Sequence, residues 1–124
     1  MTRTVAVVLA LLVALGATAC TGGDRTATWL TGGDPERGRR ALRVYGCHTC
    51  HTIPGVPGAY AVVAPSLARM ASRAYIAGHL PNTPDNLVRW IRTPQEVDRG
   101  NAMPDVGVSA PDSLDIAAYL YTLK

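Results

Sequence analysis

Two cysteines, Cys47 and Cys50, are separated by two residues, and a histidine, His51, follows directly in the stretch GCHTCHTIPG. Cysteines at this spacing serve three chemistries: a redox dithiol, half of a zinc site, or, when histidine follows, covalent attachment of haem. A redox dithiol needs a thiolate of low pKa at the start of a helix, normally beside parallel strands. A structural zinc site needs four ligands, and the chain has no second Cys-x-x-Cys pair.

Haem attachment is favoured, because the pattern of the chain predicts neither parallel strands nor a second pair of metal ligands. Two thiols at this spacing can each reach one vinyl group on the same edge of the macrocycle. The adjacent imidazole then places a nitrogen on the iron from one face. We therefore predict one covalent haem c, tethered by Cys47 and Cys50, with His51 as the proximal ligand of the iron.

The opposite face of the iron is either open or bound by one of four side chains, namely Met70, Met103, His48 and His79. Met70 has the spacing of a core residue, His48 lies between the two anchors and should point outward, and His79 is typical of a surface histidine. Met103 differs, because it lies in the loop sequence GNAMP, far enough from His51 to reach the other face. A thioether is a soft ligand that raises the potential of haem iron. We predict Met103 as the distal ligand.

The start of the chain has the pattern of an export signal. Arg3 precedes an apolar run over residues 5–15, which is shorter than the roughly 20 residues that span a bilayer. The small residues Ala17, Thr18 and Ala19 then precede Cys20. This pattern predicts a bacterial lipoprotein signal with lipid on Cys20; the alternative is an ordinary cleaved signal. Lipid on Cys20 would leave Cys47 and Cys50 as a pair.

Composition and charge give the domain organisation. We expect a signal peptide over 1–19, a flexible Thr- and Gly-rich tether over 20–33, and one domain over 34–124. The formal net charge of the whole chain is +3, with five arginines between positions 25 and 43. This charge is too small to indicate a nucleic-acid partner, and we expect none.

Helix signals recur, whereas no stretch alternates as a strand. Capping residues predict helices that begin at Asp34, Thr83 and Ser109, and a less regular helical stretch is expected within 66–77. The segments 52–65 and 94–108 should be long loops. The chain also has no Phe, 12 Gly and 9 Pro, so a bulky cofactor would help to fill the core. We predict an all-α fold of three to five helices with long loops wrapped around one haem.

The residues from about 34 to 124 resemble the class I cytochromes c. Gly38 and Leu42 on the first helix and Tyr119 on the last match the point where the terminal helices of that family cross. The segments NTPDNLVRWI, AMPDVGVS and DIAAYLYTL are similar to the small bacterial cytochromes c associated with respiratory chains and cytochrome oxidases.

The resemblance also implies a haem environment. Pro65 matches a proline whose carbonyl accepts a hydrogen bond from the proximal histidine, Arg73 an arginine near a propionate, and Trp90 an aromatic residue against the haem. Ala64 stands where the family has glycine. The family's tryptophan that often contacts a propionate has no counterpart here.

The function implied is that of a monohaem electron carrier in a respiratory chain, and not an enzyme by itself. Partners would be redox proteins such as a cytochrome oxidase or a dehydrogenase. The expected location is the periplasmic side of a bacterial membrane, through the lipid on Cys20, with a soluble periplasmic protein as the alternative. The alternative functions are a haem enzyme or gas-binding sensor with a labile sixth ligand, and an electron-transfer subunit of a dehydrogenase or oxidase complex.

Overall fold

A computed structural model describes residues 22–124, so the predicted signal peptide and Cys20 lie outside the described residues. The elements in chain order are α1 (Gly22–Thr31), α2 (Pro35–Val44), a 3₁₀ turn (Cys47–Thr49), a second 3₁₀ turn (Met70–Ser72), β1 (Tyr75–Ile76), β2 (Leu80–Pro81), α3 (Pro84–Arg92), α4 (Pro94–Val97) and α5 (Ala110–Thr122). No helix in this part of the chain is long and apolar enough to cross a bilayer.

The three helices predicted from capping residues are confirmed. The side chain of Asp34 accepts a hydrogen bond from the backbone N–H of Arg37 at 2.7 Å, at the start of α2. Thr83 caps α3 and Ser109 caps α5 in the same way. Each cap satisfies an N–H that has no partner within its own helix, so a single side chain determines where the helix begins.

The packing of α2 against α5 forms the centre of the fold. A Cβ atom on Gly38 would overlap the backbone carbonyl of Asp115, so only glycine lets the two backbones approach this closely. Leu42 and Tyr119 are buried. This confirms the predicted crossing of the first and last helices of the 34–124 segment.

The carboxylate of Asp115 reinforces this crossing from α5. It accepts a hydrogen bond from the backbone N–H of Asp34 at 2.6 Å and two from the guanidinium of Arg37 at 2.7 and 2.9 Å. Asp115 is buried, and a buried charge is tolerated only when it is paired and hydrogen-bonded in this way. The start of α2 is therefore fixed to the first turns of α5.

The prediction of a flexible tether is wrong for Gly22–Thr31, which form α1. Ala27 and Thr31 are buried, and they lie one turn apart on the same face of the helix. This face packs on α5. Thr and Gly are poor helix formers, so packing against α5 stabilises a helix that local sequence does not predict.

The prediction of an all-α fold is also wrong in one detail. The described residues are rich in helix, but β1 and β2 form a small antiparallel sheet. They are joined by Ala77, Gly78 and His79, of which Ala77 and Gly78 have positive φ. Within 66–77 only Met70–Ser72 is helical, and the expected loop over 94–108 begins with α4. Elements of two to four residues carry too little periodicity to be predicted.

Candidate functional site

The two thiols and the imidazole of the motif come from one turn. Gly46, two residues after the end of α2, has a φ of 76°, in the left-handed region, and this turns the chain into the motif. The backbone N–H groups of Cys50 and His51 then both donate to the carbonyl of Cys47, at 3.3 and 3.0 Å. Cys47 and Cys50 are free, half-buried thiols. The turn therefore fixes the spacing of all three side chains.

The imidazole of His51 is oriented by a single strong hydrogen bond. Its Nδ1 lies 2.6 Å from the backbone carbonyl oxygen of Pro65. A carbonyl only accepts, so Nδ1 carries the proton and Nε2 keeps its lone pair. A histidine held in this way presents Nε2 as a metal ligand of increased basicity. The predicted contact between His51 and Pro65 is confirmed.

Cys47 agrees with the expectation that this motif is not a redox dithiol, whereas His48 does not lie where it was expected. Cys47 packs against the core, and burial raises the pKa of its thiol, which is the opposite of what a redox dithiol requires. His48 was expected to point outward. It is half-buried, and its Nδ1 is buried without a hydrogen-bond partner among residues 22–124.

The loop that carries Pro65 is fastened at both ends. The N–H of Ala64 donates to the carbonyl of Cys50, and the N–H of Leu67 to that of Thr52, both at 2.9 Å. The guanidinium of Arg73 donates to the carbonyls of Ser66 and Ala68. Arg73 thus positions the residues that follow Pro65, a role that sequence reasoning did not assign to it.

Asn82 performs a related task that the sequence did not reveal. Its side-chain amide donates to the carbonyls of Met70 and Arg73, at 2.8 and 2.9 Å. Its amide oxygen accepts a hydrogen bond from the hydroxyl of Tyr121 on α5 at 2.9 Å. The segment between the second 3₁₀ turn and β1 is therefore tied to the last helix. An isolated Asn before a helix cap gives no sequence signal for this role.

Met70, Trp90 and Met103 differ in burial. Met70 is 4% exposed and belongs to the core cluster, which confirms its interpretation as a core residue. Trp90 lies on α3, half-buried, and packs against the same cluster as Cys47. Met103 is half-buried in the loop between α4 and α5.

The loop that carries Met103 is held by two amide side chains. Nε2 of Gln95 donates to the carbonyls of Asn101 and Met103, at 2.9 and 2.8 Å, and its Oε1 accepts from the N–H of Gly100 at 3.0 Å. The amide of Asn101 donates to the carbonyls of Pro94 and Asp98 and accepts from the N–H of Met103. The backbone at Met103 is thus fixed, although the loop has no regular structure.

The donor set fits a covalently attached haem. Two free thiols and an imidazole with an available Nε2 come from one turn, and a thioether lies on a separate, rigid loop. Among residues 22–124, no three His, Cys, Asp or Glu side chains are grouped as a metal site.

Comparison with known proteins gives one informative similarity. Over 61 residues, 48% of this chain, the sequence is 41% identical to cytochrome c oxidase subunit 2 of Alkalihalophilus pseudofirmus. The match covers 18% of that protein, so this chain spans less than a fifth of the relative's length. No protein-family model matches the chain.

Proposed function

We propose that this protein is a monohaem c-type cytochrome that passes single electrons between respiratory-chain partners, and that it is not an enzyme by itself. The observation that carries the proposal is the 2.6 Å contact of His51 Nδ1 with the Pro65 carbonyl, within a Cys-x-x-Cys-His turn. This contact leaves Nε2 of His51 free to bind iron. A haem in this site supplies a one-electron Fe(III)/Fe(II) couple.

The residues of the chain have separate tasks in this proposal. The thiols of Cys47 and Cys50 would hold the haem, each by addition of S–H across one vinyl C=C bond, which would form a thioether without net oxidation. His51 and Met103 would both bind the iron, which would leave no position on it for a substrate. Pro65 orients the His51 ring.

The haem environment is proposed to include Trp90 and Arg73 beside Pro65. Trp90 supplies an apolar ring packed on the same core cluster as Cys47. The guanidinium of Arg73 is partly engaged by the carbonyls of Ser66 and Ala68, so its proposed proximity to a propionate uses its remaining donors.

The similarity to an oxidase subunit supports an electron-transfer role within a respiratory complex. We propose a cytochrome oxidase or a dehydrogenase as the partner, which would dock through a small, transient interface. We also propose that Cys20 carries lipid and that the protein lies on the periplasmic side of a bacterial membrane. Two or more acyl chains hold a protein at a membrane far better than one.

The decisive experiment combines a haem stain with a spectrum. Cys47→Ala with Cys50→Ala should abolish haem that survives a denaturing gel, whereas Cys20→Ser, the matched cysteine control, should retain it. A stained band in the double variant would exclude covalent attachment at this motif. The reduced protein should bind CO slowly; rapid binding would instead indicate a haem enzyme or gas sensor with a labile sixth ligand.

A further inference from the structure

One face of α1 is exposed although the helix itself is firmly docked. Trp29 is 84% exposed, while Ala27 on the side opposite Trp29 is 1% exposed, and Leu30, at the edge between these two sides, is 42% exposed. Arg25, also exposed, lies four residues before Trp29 and therefore on the same side of the helix. An exposed Trp beside Arg is a combination that occurs at membrane–water interfaces.

The position of α1 in the chain indicates what covers this face. The described residues begin at Gly22, and a single residue separates Gly22 from Cys20, the proposed site of lipid attachment. Two Cα–Cα steps span at most about 7.6 Å, and Trp29 lies about 10 Å further along the helix. Trp29 therefore stays within about 18 Å of the anchor, so α1 lying along the membrane brings it to the headgroup layer.

Because α1 is docked on α5, the orientation of α1 relative to the membrane also sets the orientation of the domain. Thr31 is buried, and its hydroxyl donates to the carbonyl of Ala27 at 2.9 Å. At the end of α1, a Cβ on Gly33 would overlap the carbonyl of Leu114. A flexible tether would let the domain rotate freely above its anchor, whereas a docked helix transmits the orientation of α1 to α5.

We propose that the outward face of α1, formed by Arg25 and Trp29 with Leu30 at its edge, lies in the headgroup layer of the bilayer that holds Cys20. Trp29 buries its ring among the headgroups and Arg25 contacts lipid phosphate. A second copy of the chain is a poorer occupant. A Trp side chain buries roughly 150–250 Å², whereas a stable interface buries about 800 Å² per partner.

The test uses the intact lipidated holoprotein in vesicles of phosphatidylethanolamine and phosphatidylglycerol. A spin label is attached at Thr28→Cys, next to Trp29, and its collisions with oxygen and with a water-soluble nickel chelate are compared. This test rests on the proposed function, because the label reacts with free thiols. Cys47 and Cys50 remain unlabelled only if both are bound to haem as thioethers. Peptide mapping of the label therefore tests haem attachment separately from membrane contact.

We expect the ratio of oxygen to nickel collisions at position 28 to be higher in vesicles than for the same label on the Cys20→Ser protein, which carries no lipid, in detergent-free solution. Trp29→Ser should return the ratio to its solution value, whereas Tyr60→Ser, which removes another exposed aromatic side chain (78% exposed), should leave it unchanged. A ratio that does not rise in membrane-bound protein would overturn the proposal. Dipolar broadening between two labels would overturn it in favour of a second copy. A protein that carries no lipid on Cys20 would overturn it as well.

Discussion

The side-chain amide of Gln95 holds the backbone of Met103 through a hydrogen bond of 2.8 Å to its carbonyl oxygen. Gln95 also bonds the backbone of Asn101 and Gly100, so one side chain connects α4 to residues 100–103 of the loop. Because these hydrogen bonds already fix the loop, little conformational entropy would be lost when the thioether of Met103 binds a metal ion. Gln95 is therefore a positioning residue for Met103.

Gln95→Ala removes three hydrogen bonds, each contributing about 1 kcal/mol. We expect the haem to remain attached, the sulfur-to-iron absorption band of the ferric protein to weaken, and CO binding to the reduced protein to accelerate. Asn86→Ala is the matched control, since Asn86 makes a similar amide-to-carbonyl bond to Pro81 elsewhere. If the Gln95→Ala protein is less stable but keeps the absorption band and the CO-binding rate of the parent, then Gln95 has only a structural role.

Met103→Ala should retain covalent haem, lower its reduction potential and open one axial position, because the softer thioether ligand stabilises the reduced iron. Met70→Ala provides the contrast. Met70 is buried in the core, so its truncation should cost about 2–5 kcal/mol of stability without opening the iron. Potentiometric titration and CO binding separate the two; the reverse pattern would show that Met70 is the ligand.

Gly38→Ala should lower the free energy of unfolding by about 1–3 kcal/mol, because the added methyl group overlaps the Asp115 carbonyl and forces α2 from α5. Gly23→Ala should change stability in the opposite direction, by about 0.5–1 kcal/mol. A Cβ at Gly23 has no atom within 4 Å, so only the better helix propensity of alanine remains. Chemical denaturation of the two variants measures both; equal effects would contradict the crossing.

Asp115 should make stability depend on pH. Burial alone would raise the pKa of its carboxyl, but the hydrogen bonds from Arg37 and from the Asp34 N–H outweigh this and hold the pKa below its ordinary value, against some repulsion from Asp112. Its contribution is therefore fully present above the unfolded-state pKa of about 3.9 and is lost as the pH falls through the folded-state pKa.

Asp115→Asn should therefore destabilise the protein most near neutral pH, by about 1.5–3 kcal/mol for charged hydrogen bonds. The difference from the parent should shrink in acid. Urea denaturation at pH 7 and at pH 3 measures it, with Asp98→Asn, an exposed carboxylate, as the control. A difference that stays constant across this range would show that the charge of Asp115 is not what matters.

The local sequence was sufficient to predict where a helix begins, because one capping side chain determines that position. Asp34, Thr83 and Ser109 each accept a hydrogen bond from the N–H three residues on, and such caps are recognisable without knowledge of the fold. The bond between His51 and Pro65 was expected only from the resemblance to cytochromes c, because its partners lie 14 residues apart.

Tertiary packing decided the features that were missed. α1 contains Gly and Thr in positions typical of a linker, and it is a helix because Ala27 and Thr31 find a place against α5. Gln95 and Asn101 are ordinary polar residues in the sequence, and their roles depend on where the loop folds back. The position of a polar residue in the sequence does not indicate which backbone groups its side chain will bond across a folded loop.

The crossing of α2 and α5 also joins the first part of the 34–124 segment directly to its last part. Val62 and Val63 are 87% and 80% exposed, in the loop between His51 and Pro65, and we expect that a protease can cut this loop without separating α2 from α5. The N-terminal fragment would keep both cysteine tethers and His51, and the C-terminal fragment would supply Met103. We expect the two fragments to remain associated as a nicked protein that reassembles from its parts.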